Sequence, residues 1–144
     1  MNFSYNVRII ALSVTISLGM IAQATTAKAA ETETLLVAGG CFWCVESDFE
    51  SVKGVKEVIS GFAGGTVKNP TYKQVTAGGT GHYEAAQIQF DPAVVSLDQL
   101  LSMYFRSVDP TDAGGQFCDR GDSYRTAIFA KDAVQKAAAT QAKA

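Results

Sequence analysis

Between residues 34 and 52 the hydrophobic period of the chain changes once, and that change limits what it can become. Leu35-Leu36-Val37 form a short apolar run that ends at Gly39-Gly40, as a buried strand over 34–38 ends at a glycine turn. Directly afterwards Phe42, Val45 and Phe49 recur at three- and four-residue steps, with Glu46, Asp48 and Glu50 between them. This spacing predicts a helix over 42–52 that begins at Cys41. A strand therefore delivers Cys41 to the first turn of a helix.

The same reading carries along the chain. Residues 55–62 alternate apolar and polar, with β-branched Val58 and Ile59, and run into a glycine-rich loop that lasts to about Gly81. A third strand is expected over 84–90, broken by Asp91-Pro92. Ser96 then caps a helix carrying Leu97, Leu100, Leu101, Tyr104 and Phe105. A second glycine-rich loop covers 109–122, a fourth strand 123–130, and an Ala-rich helix follows Asp132 as its cap. The first six elements have the order of the split βαβ motif. The expected fold is α+β, a ferredoxin-like sandwich (β-α-β-β-α-β) with a C-terminal helix. Connections as long as these two loops are usually functional or disordered.

Residues 1–29 read differently from the rest. Arg8 lies in a polar start, an apolar stretch runs from Ile9 to Ala22, and small residues end at Ala27-Lys28-Ala29. The stretch is shorter than the roughly 20 residues of a spanning helix and precedes an A-x-A site, which is the pattern of a cleavable secretory signal peptide. Residues 30–144 are then one exported domain, periplasmic or extracellular, monomeric and without stable membrane association. Cleavage takes away Arg8 and Lys28 of the twelve basic residues and none of the fourteen acidic ones. Acidic side chains are interspersed with Lys and Arg, and nothing in the pattern suits a nucleic-acid partner.

The chemistry converges on Cys41. Unpaired N–H groups and the dipole at a helix N-terminus favour thiolate, and Gly39-Gly40 leave the sulfur unshielded. Cys41-Phe42-Trp43-Cys44 is also a C-x-x-C, a spacing that permits a redox-active disulfide. Zinc is disfavoured: only Cys118 and His82 remain as further soft ligands, and no second C-x-x-C exists. No G-x-G-x-x-G dinucleotide fingerprint occurs either.

At Gly39-Gly40-Cys41-Phe42-Trp43-Cys44-Val45-Glu46 the chain resembles the A-class peptide methionine sulfoxide reductases. The likeness continues, in the family's order, through Asn69-Pro70-Thr71-Tyr72, Gly79-Thr80-Gly81-His82-Tyr83-Glu84, Asp109-Pro110-Thr111 and Cys118-Asp119-Arg120-Gly121 with Tyr124-Arg125. The resemblance implies that Cys41 attacks a sulfoxide sulfur and Glu84 gives a proton to the departing oxygen. Tyr72 and Tyr124 would hydrogen-bond that oxygen, Asp119 would orient the polar group, and Phe42 and Trp43 would cradle the methyl group. His82 is implied to be a structural neighbour of Glu84.

Attack leaves a sulfenic acid on Cys41, and a second thiol condenses with it into a disulfide. Cys118 and Cys44 are the candidates. Cys118 is preferred because its glycine-rich loop can swing in, and a relay through Cys44 stays open. The implied substrates are oxidised proteins or peptides containing methionine sulfoxide, and free methionine sulfoxide. With no bound cofactor and no metal, the electron donor would be thioredoxin or a similar dithiol. Against the family pattern the chain ends after one Ala-rich helix, without the usual segment beside the active site. That departure leaves two competing readings: an exported thiol-disulfide exchange protein and a catalytically silent sulfoxide-binding domain.

Overall fold

Strand and helix alternate from the start. β1 (Glu33–Gly39) leads into α1 (Phe42–Glu50), β2 (Val55–Ala63), a short α2 (Tyr72–Thr76), β3 (Tyr83–Phe90) and α3 (Leu97–Ser107). Two-residue strands β4 (Gly115–Gln116) and β5 (Asp119–Arg120) form a small hairpin, followed by β6 (Thr126–Ile128) and α4 (Ala133–Lys143). This computed structural model describes residues 31–143, so the expected leader and its cleavage site lie outside the described residues.

The main sheet has the order β2-β3-β1-β6, and every neighbouring pair is antiparallel. With α1 and α3 as crossovers this is the expected ferredoxin-like α+β sandwich. Period-two alternation sends Leu35 and Val37 of β1 to one face, where they lie opposite Ile88 and Ala86 of β3. The helices cover that face: Val45 and Phe49 of α1, and Leu100, Leu101 and Tyr104 of α3, join Val58, Ile88 and Phe90 in one core. Each large apolar side chain buried there contributes about 1.5–3 kcal/mol. Tyr104 keeps its hydroxyl satisfied by donating to the carbonyl of Ala38 at 2.7 Å.

Three segments differ from the sequence expectation. The fourth strand is shorter than 123–130, because residues 122–124 form a 3-10 turn and only Thr126–Ile128 pair with β1. Gly121, at φ 122°, starts that turn, and Arg125 closes it by donating to the carbonyl of Asp122 at 3.1 Å. The first long loop contains α2, held by a capping box in which the N–H of Gln74 donates to Thr71 Oγ1 at 3.3 Å and the N–H of Thr71 to Gln74 Oε1 at 2.8 Å. The second long loop carries the β4–β5 hairpin, locked by a pair of hydrogen bonds from Arg120 to the carboxylate of Asp112 at 2.5 and 3.0 Å.

The two expected caps are present. Asp132 Oδ1 accepts from the N–H of Gln135 at 2.8 Å, and the buried Gln135 side chain donates to the carbonyl of Thr34 at 2.6 Å, tying α4 to β1. Ser96 Oγ accepts from the N–H of Gln99 at 3.2 Å, and Gln99 Oε1 returns the bond to the N–H of Ser96 at 2.9 Å. Ser96→Ala is expected to lower the unfolding free energy by about 1 kcal/mol in a urea titration with an unchanged slope. An unshifted midpoint would mean that this box does not hold α3.

Candidate active site

The turn between β1 and α1 sets the site. Gly40 has φ 88°, a conformation costly for any residue with a Cβ, and a Cβ there would stand 2.7 Å from Cβ of Gln116. Gln116 is buried and spans the second loop: its Oε1 accepts from the N–H of Asp109 at 2.7 Å, and its Nε2 donates to the carbonyl of Asp109 at 2.8 Å. Sequence reading passed over this residue, although a polar side chain enclosed by Gly114-Gly115 and Phe117 was a usable signal. Cys41 follows as the N-cap residue of α1 and its side chain makes no capping bond. The sulfur is therefore not engaged by the helix backbone it adjoins.

An acceptor from another element serves the helix end instead. The N–H of Phe42 donates to Oε2 of Glu84 at 3.1 Å. Glu84 shares a face of β3 with Ala86, Ile88 and Phe90, so strand alternation points its carboxyl inward and leaves it 1% exposed. Oε1 of the same carboxyl is buried without a hydrogen-bond partner. Burial pushes the Glu84 carboxyl above the ordinary range, and the negative charge of Asp119 adds to that; the Phe42 N–H and the Tyr124 hydroxyl pull the other way.

Aromatic side chains enclose the space beside it. Phe42 is buried, with its ring centroid 5.8 Å from Phe62 and 5.2 Å from Trp43. Trp43 is 64% exposed and stacks on Tyr72 at 6.5 Å with an interplanar angle of 12°. Tyr72 reaches this position because it opens α2, and Tyr124 comes from the 3-10 turn before β6. Burial, the Tyr72 hydroxyl beside it and the carboxyl groups of Glu84 and Asp119 hold the Tyr124 phenol protonated well above its usual range. Phe62 was not among the residues the sequence singled out; its register opposite Glu84 is what places it here.

Cys41, Cys44 and Cys118 are all free thiols. Cys44 lies one helical turn from Cys41. Desolvation, the adjacent Cys41 thiol and the negative charges of Asp119 and Asp48 push the Cys44 thiol up. Cys118 is exposed at the tip of the β4–β5 hairpin. Asp119, half-buried, acts on Glu84, Tyr124 and Cys44 through its charge. His82 pins the first loop: its Nε2 donates to the carbonyl of Val67 at 2.9 Å and its Nδ1 accepts from the N–H of Gly65 at 3.2 Å. Both ring nitrogens are occupied, in keeping with a structural role. Among the described residues no group of three His, Cys, Asp or Glu side chains is arranged to hold a metal ion.

The arrangement offers a nucleophilic sulfur, a protonatable buried carboxyl, two phenols and an apolar wall. The family model for peptide methionine sulfoxide reductase matches residues 33–144. A peptide methionine sulfoxide reductase of Caulobacter vibrioides, MsrA 2, is 56% identical over 108 residues, covering 75% of this chain and 55% of that protein. The MsrA/MsrB protein of Vibrio cholerae is 48% identical over 139 residues, covering 92% of this chain and 36% of its own length. Among solved structures, methionine sulfoxide reductase A of Corynebacterium diphtheriae superposes with a TM-score of 0.73 at 34% identity, over 81% of this chain and 55% of that one. The chain thus spans between about a third and just over half the length of these relatives.

The dependence of the turn on Gly40 can be measured against a glycine with the same backbone and open surroundings. Gly78 has φ 84° and nothing within 4 Å of a built Cβ. Gly78→Ala should cost about 1 kcal/mol of stability, from backbone conformation alone, and Gly40→Ala at least about 2 kcal/mol because Gln116 must also move. Equal losses in chemical denaturation would show that contact with Gln116 is not needed.

Proposed function

The chain belongs to the peptide methionine sulfoxide reductase family, and from that membership we propose that it is a peptide-methionine (S)-S-oxide reductase. It would return methionine sulfoxide, in oxidised proteins and as the free amino acid, to methionine. The observation that carries this reading is Oε1 of Glu84, buried and unpartnered at the helix turn that presents Cys41. In the neutral carboxyl, Oε2 accepts from Phe42, which leaves Oε1 to carry the proton and donate it to an arriving substrate oxygen.

The sulfoxide methyl group lies against Phe42 and Trp43, and its oxygen faces Glu84, Tyr72 and Tyr124. Cys41 thiolate attacks the sulfur while Glu84 protonates the oxygen, which makes it a competent leaving group. The sulfur–oxygen bond breaks, methionine departs reduced, and Cys41 is left oxidised as a sulfenic acid. A second thiol then attacks Cys41, forming a disulfide and releasing water; Cys118, exposed on its hairpin, is the preferred partner, and Cys44, one helical turn away, offers a relay. Through the relay, Cys44 would close the first disulfide with Cys41 and pass it on to Cys118. An external dithiol, thioredoxin or a similar protein, would regenerate the enzyme. The N-terminal pattern supports export, with the mature chain acting as a monomer outside the cytoplasm. No helix among the described residues is long and apolar enough to cross a membrane. A plain disulfide exchanger gives Glu84 no task, and for that reason the reductase is preferred.

Single-turnover conversion of a methionine S-sulfoxide peptide by the reduced chain, followed by mass spectrometry, tests the scheme. Cys41→Ser should abolish turnover and Glu84→Gln should slow it about 10²- to 10⁴-fold. With burial lifting the Glu84 carboxyl, the wild-type rate, corrected for thiolate fraction, should fall as pH rises through that lifted value, and Glu84→Gln should lose this limb. The sign for stability is the same: a raised carboxyl favours the fold below its unfolded value, and that contribution fades as pH rises through the folded one. A Glu84→Gln variant with an unchanged rate and pH profile would sink the assignment of the acid.

A further inference from the structure

Cys41 has a second side that the scheme above leaves unused. On α1, Cys41, Cys44, Val45 and Asp48 follow one another at three- and four-residue steps and form a single stripe. This stripe faces away from the aromatic group and, with Phe117 and Asp119 of the β4–β5 hairpin, borders a cavity of about 240 Å³. Phe42, Trp43, Tyr72, Glu84 and Tyr124 do not line it. Its volume falls below the ~300 Å³ from which small-molecule pockets start and suits one side chain. Cys41 belongs to both spaces, so a polypeptide whose methionine sulfoxide reacts at Cys41 brings a neighbouring residue over this cavity.

We propose that the cavity is a second substrate subsite, taking a lysine or arginine next to the methionine sulfoxide of a polypeptide, with Phe117 and Asp48 setting the preference. The inference rests on the reductase reading. Charge complementarity chooses the occupant: the charged groups in the lining are Asp48 and Asp119, and neither has an ion-pair partner among the described residues. Between them the wall is apolar. Val45 forms it on the helix side, and Phe117 forms it on the hairpin side, held 71% exposed at φ 50°. A long basic side chain lays its methylene stem on such a wall and its cation between the carboxylates, with the Phe117 ring as a further partner for the charge. The free amino acid has no neighbouring residue to place there and gains nothing from the subsite.

The test uses the full chain with dithiothreitol and compares kcat/KM on blocked peptides in which lysine, alanine or glutamate flanks methionine S-sulfoxide on either side, and on N-acetyl-methionine sulfoxide amide. The lysine peptide should be preferred over the glutamate peptide on at least one side, by about three- to tenfold at low salt, and less so as salt is raised. Asp48→Asn should narrow that ratio about threefold, and Phe117→Ala should lower the lysine peptide about fivefold relative to the N-acetyl amide measured with the same variant. Wild type that turns over all peptides equally would overturn the subsite and leave the reductase reading standing. Loss of turnover by Phe117→Ala only when a protein dithiol replaces dithiothreitol would overturn it by assigning the surface to the reductant. Absence of turnover on every substrate would overturn the reductase reading and the subsite together.

Discussion

One hydrogen bond, from the N–H of Phe42 to Oε2 of Glu84, joins the two parts of the molecule on which the rest depends. A helix start needs acceptors for its first N–H groups, and the residue at the cap usually supplies one from its own side chain. Here the cap residue is Cys41 and its sulfur supplies none. The carboxyl arrives from β3, forty-two residues further along the chain, and can reach only because β3 lies next to β1 in the sheet. Split βαβ topology thus brings Cys41 and the carboxyl together, and in doing so leaves the carboxyl half-satisfied in a buried position.

α1 divides what surrounds that bond. Phe42 and Phe49 pack toward the sheet, and Glu46 reaches Ser60 of β2 through a hydrogen bond that fixes the roll of the helix. Trp43 points outward to meet Tyr72 from the first long loop. Cys44 and Asp48 turn toward the hairpin of the second. Each long loop therefore furnishes one flank of Cys41, and each is pinned by a buried or half-buried polar side chain, the first by His82 and the second by Gln116. Rigid elements carry the sulfur, and pinned loops carry the groups around it.

Much of this was legible in the residues. The change of period at Gly39-Gly40 gave β1, Cys41 and α1, and the six-element order led to the sheet topology. The inward aim of Glu84 could have been read by counting back in twos from Phe90 through Ile88 and Ala86, yet a carboxyl at a strand start reads first as a solvated edge charge. α2 escaped because the glycines around it mask a capping box whose two partners, Thr71 and Gln74, were in plain view. The fourth strand was read too long because an apolar run cannot show that Gly121 bends its first residues into a turn. The grip of Gln116 on Asp109, and the meeting of Phe62 with Phe42, depend on long-range register and packing that no local pattern encodes.

The ends of the sheet bear on how this chain meets other chains. Outer strands with unpaired backbone groups are templates for foreign strands, and oxidised, partly unfolded polypeptides supply such strands. One outer strand, β6, is three residues long and offers a very short template. The other, β2, breaks register between Val55 and Glu57 and displays Lys56 and Glu57 at that irregularity. The short border is blunted by its length and the long one only at its start, so what a foreign strand could zip onto is the outer edge of β2 beyond Glu57.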